Sequence, residues 1–99
     1  MLKYSWLYYS TCFSLGKLGL DHDGGPFGAV VVKNGEVIAL GHNRVPSSND
    51  STCHGEIDAI RKAENELGSY NLEGCELYTT GEPCPMCLAA ILWANIKKV

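Results

Sequence analysis

Residues 79–94 read TTGEPCPMCLAAILWA. Cys84 and Cys87 lie three positions apart, with Pro83 before the first and Pro85 directly after it, and the run then turns apolar. Proline suits the first position of a helix, where its missing N–H costs nothing and its fixed φ is already helical. With Pro85 there, both thiols fall in the first turn, on the same side. Unpaired N–H groups and the positive helix end favour thiolates at that place. Two such thiolates can share one tetrahedral zinc, and a thioredoxin-like dithiol fits C-x-x-C equally well. The motif alone does not choose.

The stretch STCHGEIDAI, residues 51–60, bears on the choice. His54 and Glu56 stand at the start of a second expected helix, with Ser51 or Thr52 as the expected N-cap. A spacing of two does not share a face inside a helix, but side chains near an N-terminus can still converge on one pocket. His54, Cys84 and Cys87 then make three protein ligands, and a catalytic zinc keeps its fourth position open. Two thiolates and a neutral imidazole leave such a site near neutral, and Glu56 is free to move protons. A closed structural zinc needs a fourth ligand. Cys53 adjoins His54, and adjacent residues rarely close one tetrahedron, while Cys12 and Cys75 remain candidates. Plain buried cysteines beside a satisfied histidine are the remaining alternative.

The chain has 99 residues, which reads as one small domain, 1–99, with little margin for its core. It is 45% apolar and 19% charged, ordinary for a soluble globular protein, and no apolar run reaches the length of a membrane span. The N-terminal MLKYSWLYYSTCFSLGKLGL is not read as a signal peptide. Its apolar run is broken by Ser5, Ser10, Thr11 and Ser14, and no clear cleavage site follows. The net charge of −3 does not suit a protein that grips phosphate backbones, so no nucleic-acid partner is expected. Five cysteines without a secretory signal fit a reducing cytoplasm and a metal site better than a disulfide scaffold.

Secondary structure follows from pattern. Residues 3–18 read weakly as a helix, and DHDGGPFG as a turn-rich loop. FGAVVVKNGEVIALGHN reads as two strands joined at Asn34-Gly35, a pair that tolerates the positive φ of a tight hairpin turn. RVPSSNDST is a polar loop. Over residues 54–67, Ile57, Ile60, Ala63 and Leu67 share one helical face, while Asp58, Arg61, Lys62 and Glu66 point mostly away from it. Gly68 is the expected stop. CELYTT is a third strand. PMCLAAILWAN, apolar nearly all round, reads as a buried helix. IKKV begins another strand. That order describes an α/β layered fold with a mixed sheet.

His54-Gly55-Glu56 followed by Pro83-Cys84-Pro85-Met86-Cys87 resembles the cytidine-deaminase-like zinc deaminase superfamily, whose signature is H-x-E…P-C-x-x-C. The resemblance runs from about Gly24 to the end. GGPFGAVVVKNGEVIA, GHN, SSNDST, HGEIDAIRKA and LYTTGEPCPMCLAAILWANIKKV are similar to the guanine deaminase branch. Gly55 departs from the alanine common there. The resemblance implies a three-layer α-β-α fold around a mixed sheet. It implies a zinc-dependent hydrolase that deaminates a nucleobase, guanine to xanthine, in purine metabolism. Zn2+ would be held by His54, Cys84 and Cys87, and Glu56 would carry protons from water to the ring nitrogen and the departing ammonia.

The same resemblance implies that Asn43 hydrogen-bonds the base, that Phe27 lies against it, and that the N–H groups of Gly55 and Cys84 touch it. Trp93 either lines that pocket or fills a buried helix, and Glu82 supports the site. A small purine base and a second copy of the chain, in a homodimer, are the implied partners. Members of the superfamily continue past the position of Val99 with further strands and acidic residues that select guanine. The C-terminal strands are therefore expected to be missing here. Deamination of adenosine in transfer RNA, of cytosine or a nucleoside, and an inactive zinc-stabilised fragment or binding module are the alternatives.

Overall fold

The computed structural model of the protein describes residues 28–99. The helix expected over residues 3–18, and Phe27, lie outside the described residues. Strands β1 (Gly28–Lys33) and β2 (Glu36–His42) pair antiparallel, with Lys33 opposite Glu36 and Gly28 opposite His42. Asn34 at φ 53 and Gly35 at φ 79 make the turn, the positive pair that their sequence predicts. The register slips between Val31 and Val32, so that Val31 faces Ala39 and Val32 faces Val37.

Strand β3 (Cys75–Thr79) pairs antiparallel with the other side of β1, giving the order β2-β1-β3. Beyond it the Leu77 N–H donates to the Lys98 carbonyl at 3.0 Å, and Glu76 bridges Lys98 in the parallel sense. The mixed character of the sheet therefore begins where IKKV was read as a strand start.

Three helices complete the described part: α1 (Val45–Ser48), α2 (Gly55–Leu67) and α3 (Pro85–Trp93). The stretch read as a polar loop thus holds one helical turn, α1. Gly68 ends α2 at φ 64, with its N–H donating to Asn65 and the Ser69 N–H to Glu64, a paired closure that satisfies the last carbonyls.

Side chains alternate across β1 with the period of two that a strand requires. Ala29 and Val31 join Ala39, Leu77, Ala59, Ile60, Ala63 and Ile91 in one core cluster. Val30 and Val32, on the opposite face, are equally buried. A strand covered on both faces is the centre of a layered fold.

Three expectations are corrected. Neither Ser51 nor Thr52 caps α2: its N-cap is His54, and Thr52 gives its N–H and hydroxyl to Asp50 instead. Asp58, read as pointing away from the core, is only 6% exposed, because its carboxylate finds partners under the end of β2. Helix α3 is not buried all round: Cys87 and Ile91 pack inward, while Leu92 is 69% exposed. An apolar surface without periodicity cannot reveal which side faces the sheet.

Candidate active site and metal centre

The site forms where two helices begin. His54 holds extended geometry as the N-cap of α2, and Cys84 does the same for α3. Before α2, Asp50 organises the loop. One carboxylate oxygen accepts from the Thr52 N–H at 2.9 Å, the other from Arg61 at 3.0 Å. These bonds, the Thr52 hydroxyl first, hold the Asp50 carboxyl down at about 2. Before α3, Pro85 takes the first helical position, as its chemistry favours. The Cys87 N–H then donates to the Cys84 sulfur at 3.4 Å.

The two helix starts meet. His54 Nδ1 lies 3.6 Å from Cys84 Sγ and 3.5 Å from Cys87 Sγ. All three donor atoms lie within 4.8 Å of one another. With Zn–S about 2.3 Å and Zn–N about 2.0–2.1 Å, two corners of a tetrahedron carrying S and N are about 3.5 Å apart. The donors stand at that spacing, and one imidazole with two sulfurs is a zinc set. These three residues could hold a zinc ion.

The sulfurs are not equivalent among the protein groups alone. The Cys87 N–H lowers the Cys84 thiol from its ordinary value, as a helix N-terminus does. Burial pushes the Cys87 thiol well up, and the neighbouring Glu56 charge pushes it further. A cation among them would relieve both penalties on Cys87.

Glu56, only 7% exposed, occupies the first turn of α2 beside these donors. With His54, Gly55 and Cys84 it lines a cavity of roughly 200 Å³. Asn43, just past β2, lines the same cavity. Its Oδ1 accepts from the Val45 N–H at 2.9 Å, a local turn bond that fixes the side chain and leaves its amide hydrogens to donate. Gly41 explains how β2 comes so near. A Cβ there would stand 2.5 Å from both the Ala59 nitrogen and the Gly55 oxygen, so only glycine lets the strand press on the helix.

The structure thus brings His54, Gly55, Glu56, Cys84, Cys87 and Asn43 to one place. It does not bring Trp93 there. That side chain is 88% exposed at the far end of α3, where it borders surface hollows with Leu92 and Tyr70, so its assignment to the pocket is corrected within this chain. A nine-residue helix rising 1.5 Å per residue carries its last side chain about 12 Å from its first. Sequence reading missed Thr79 and Gly81, which line the cavity, and it placed Glu82 as support although it lines the wall too. Their signal was position: they connect the end of β3 to Cys84, and ligand sites in α/β folds gather at such strand ends.

The fold and the paired helix starts define a zinc-site α/β domain of the deaminase type. The profile of the cytidine and deoxycytidylate deaminase zinc-binding region matches residues 5–99, and the chain belongs to that family. It is 62% identical over 76 residues to guanine deaminase of Bacillus subtilis, covering 77% of this chain and 49% of that protein. It is 49% identical over 74 residues to a tRNA-specific adenosine deaminase of Aquifex aeolicus, covering 75% of this chain and 49% of that one. The crystal structure of Bacillus subtilis guanine deaminase superposes with a TM-score of 0.92 at 49% identity, over 98% of this chain and 62% of that one. The chain spans about half the length of the curated relatives it matches.

Proposed function

We propose that this protein is a zinc-dependent nucleobase aminohydrolase that converts guanine and water to xanthine and ammonia. The observation that carries it is one cavity holding a His54, Cys84, Cys87 donor set beside the buried carboxylate of Glu56. The likeness to guanine deaminase supports the choice of base. When bound, zinc supplies the Lewis acidity that makes water nucleophilic near neutral pH.

The residues of the chain do the rest. Glu56 takes a proton from the attacking water and delivers it to the ring nitrogen beside the carbon that bears the amino group. A C–O bond forms at that carbon. Glu56 then passes the second water proton to the amino group, the C–N bond breaks, and ammonia leaves. Asn43 donates from its amide to an acceptor on the purine edge, since its oxygen is already engaged. The N–H groups of Gly55 and Cys84, at the two helix starts, also face the base.

The full-length protein works as a cytoplasmic homodimer. Free Cys53, Cys75, Cys84 and Cys87 suit a reducing compartment. The exposed Leu88, Leu92 and Trp93 suit a surface that a second copy covers. Among the described residues, no helix is long and apolar enough to cross a membrane.

A second reading, deamination of adenosine in transfer RNA, draws on the likeness to the Aquifex protein. The net charge of −3 weighs against a polyanionic substrate. The test is ammonia release by the full-length, zinc-loaded protein from free guanine and, separately, from transfer RNA. Release from guanine that disappears in Glu56→Ala is expected. Turnover of transfer RNA with guanine untouched would transfer the assignment to the second reading.

A further inference from the structure

Asn43 is held in the cavity wall by a segment anchored on both sides. On one side the Arg44 N–H donates to the carbonyl of Cys53, the residue before His54, at 2.9 Å. On the other the His42 N–H donates to Asp58 Oδ2 at 3.2 Å. Asp58 stands two residues after Glu56 in the same helix, is 6% exposed, and also meets Lys62 at 3.0 Å. The first anchor is backbone to backbone and does not depend on a side chain. The second exists only because residue 58 carries a side-chain oxygen that accepts. Gly41, pressed on Gly55 and Ala59, brings the strand close enough for that bond to form.

We propose that Asp58 is a positioning residue for the base. Through the His42 amide it ties the end of β2 to the helix that bears His54 and Glu56, and so fixes the distance between Asn43 and the reacting centre. Asp58 touches neither base nor metal. Its effect therefore falls on how well Asn43 meets the purine, and this rests on the reading of the site as a purine deaminase.

The test uses the full-length, zinc-loaded protein with Asp58→Ala, Asp58→Asn and Lys62→Ala. Losing one hydrogen bond to a charged group is expected to raise KM for guanine about tenfold in Asp58→Ala, with kcat and zinc content nearly unchanged. Asp58→Asn restores KM, because an amide oxygen still accepts from His42. Lys62→Ala leaves KM alone, which separates the amide anchor from the ion pair. Amide hydrogen exchange gives a readout independent of turnover: His42 exchanges faster in Asp58→Ala, and so does Val45, whose N–H is held by Asn43 Oδ1. Unchanged exchange at His42 and Val45 would overturn the proposal, as would an equal fall in kcat, zinc content and KM performance that marks general unfolding. If the parent protein leaves guanine untouched, the guanine assignment fails, while the two amides still decide the anchor.

Discussion

Helices α2 and α3 both begin at the candidate metal site, and they do so with opposite kinds of sequence. In α2 the apolar positions recur with helical period, and Ile57, Ile60 and Ala63 are buried as that period dictates. In α3 nearly every position is apolar, yet Leu88, Leu92 and Trp93 face outward. A periodic helix states which side it buries, because most of its polar positions reach water, and one that does not, such as Asp58, must find a partner inside. A uniformly apolar one states only that it prefers cover, and leaves open whether this chain or another surface supplies it. The N-cap residues share extended backbone geometry in both, although only Cys84 also caps its helix with its side chain.

The contrast can be broken most directly at the site. Glu56→Ala should cost about 10²–10⁴-fold in turnover, the usual worth of a positioned proton carrier, with zinc retained. Metal analysis beside kinetics checks this, and loss of zinc in the mutant would recast Glu56 as structural. The equivalent change on α3, Cys87→Ser, should instead lower zinc content and activity together.

Away from the site, the two helices should diverge. Ile60→Ala on α2 removes buried side-chain volume and should destabilise the fold by about 2–5 kcal/mol in denaturant titration. Leu92→Ala on α3, in a chain without its cover, should change stability by less than about 0.5 kcal/mol. A large loss at Leu92 together with dissociation in light scattering would mean that a second copy supplies the cover. Gly41→Ala should cost about 1–3 kcal/mol, because the added methyl has backbone on two sides and little room to relax.

The smallest effect concerns the loop ahead of α2. The Asp50 carboxyl sits at about 2, below its ordinary 3.8. A group depressed on folding contributes stability that is fully present above the unfolded value and is lost as pH falls through the folded one. The stability difference between the parent protein and Asp50→Asn should therefore hold at neutral pH and shrink between about pH 4 and pH 2. A difference that persists unchanged below pH 2 would mean that the Thr52 and Arg61 contacts do not depend on the charge.

Much of this is legible in the sequence. The Asn34-Gly35 hairpin, the stop at Gly68 and the periodic face of α2 rest on local chemistry, whereas the pairing of His54 and Glu56 with Cys84 and Cys87, 30 residues apart from His54 to Cys84, is legible only through the two-part motif that resembles the zinc deaminases. Local chemistry is encoded within a few residues: positive φ, proline at a helix start, thiols one turn apart. Tertiary structure alone decided the rest. It put Asp58 beneath the His42 amide, Thr79 and Gly81 in the cavity wall, and Trp93 on the surface, about 9 Å along its helix from Cys87. The first of those outcomes depends on how closely strand β2 and helix α2 approach, and that closeness is set at Gly41, where the two backbones meet with no room for a side chain between them.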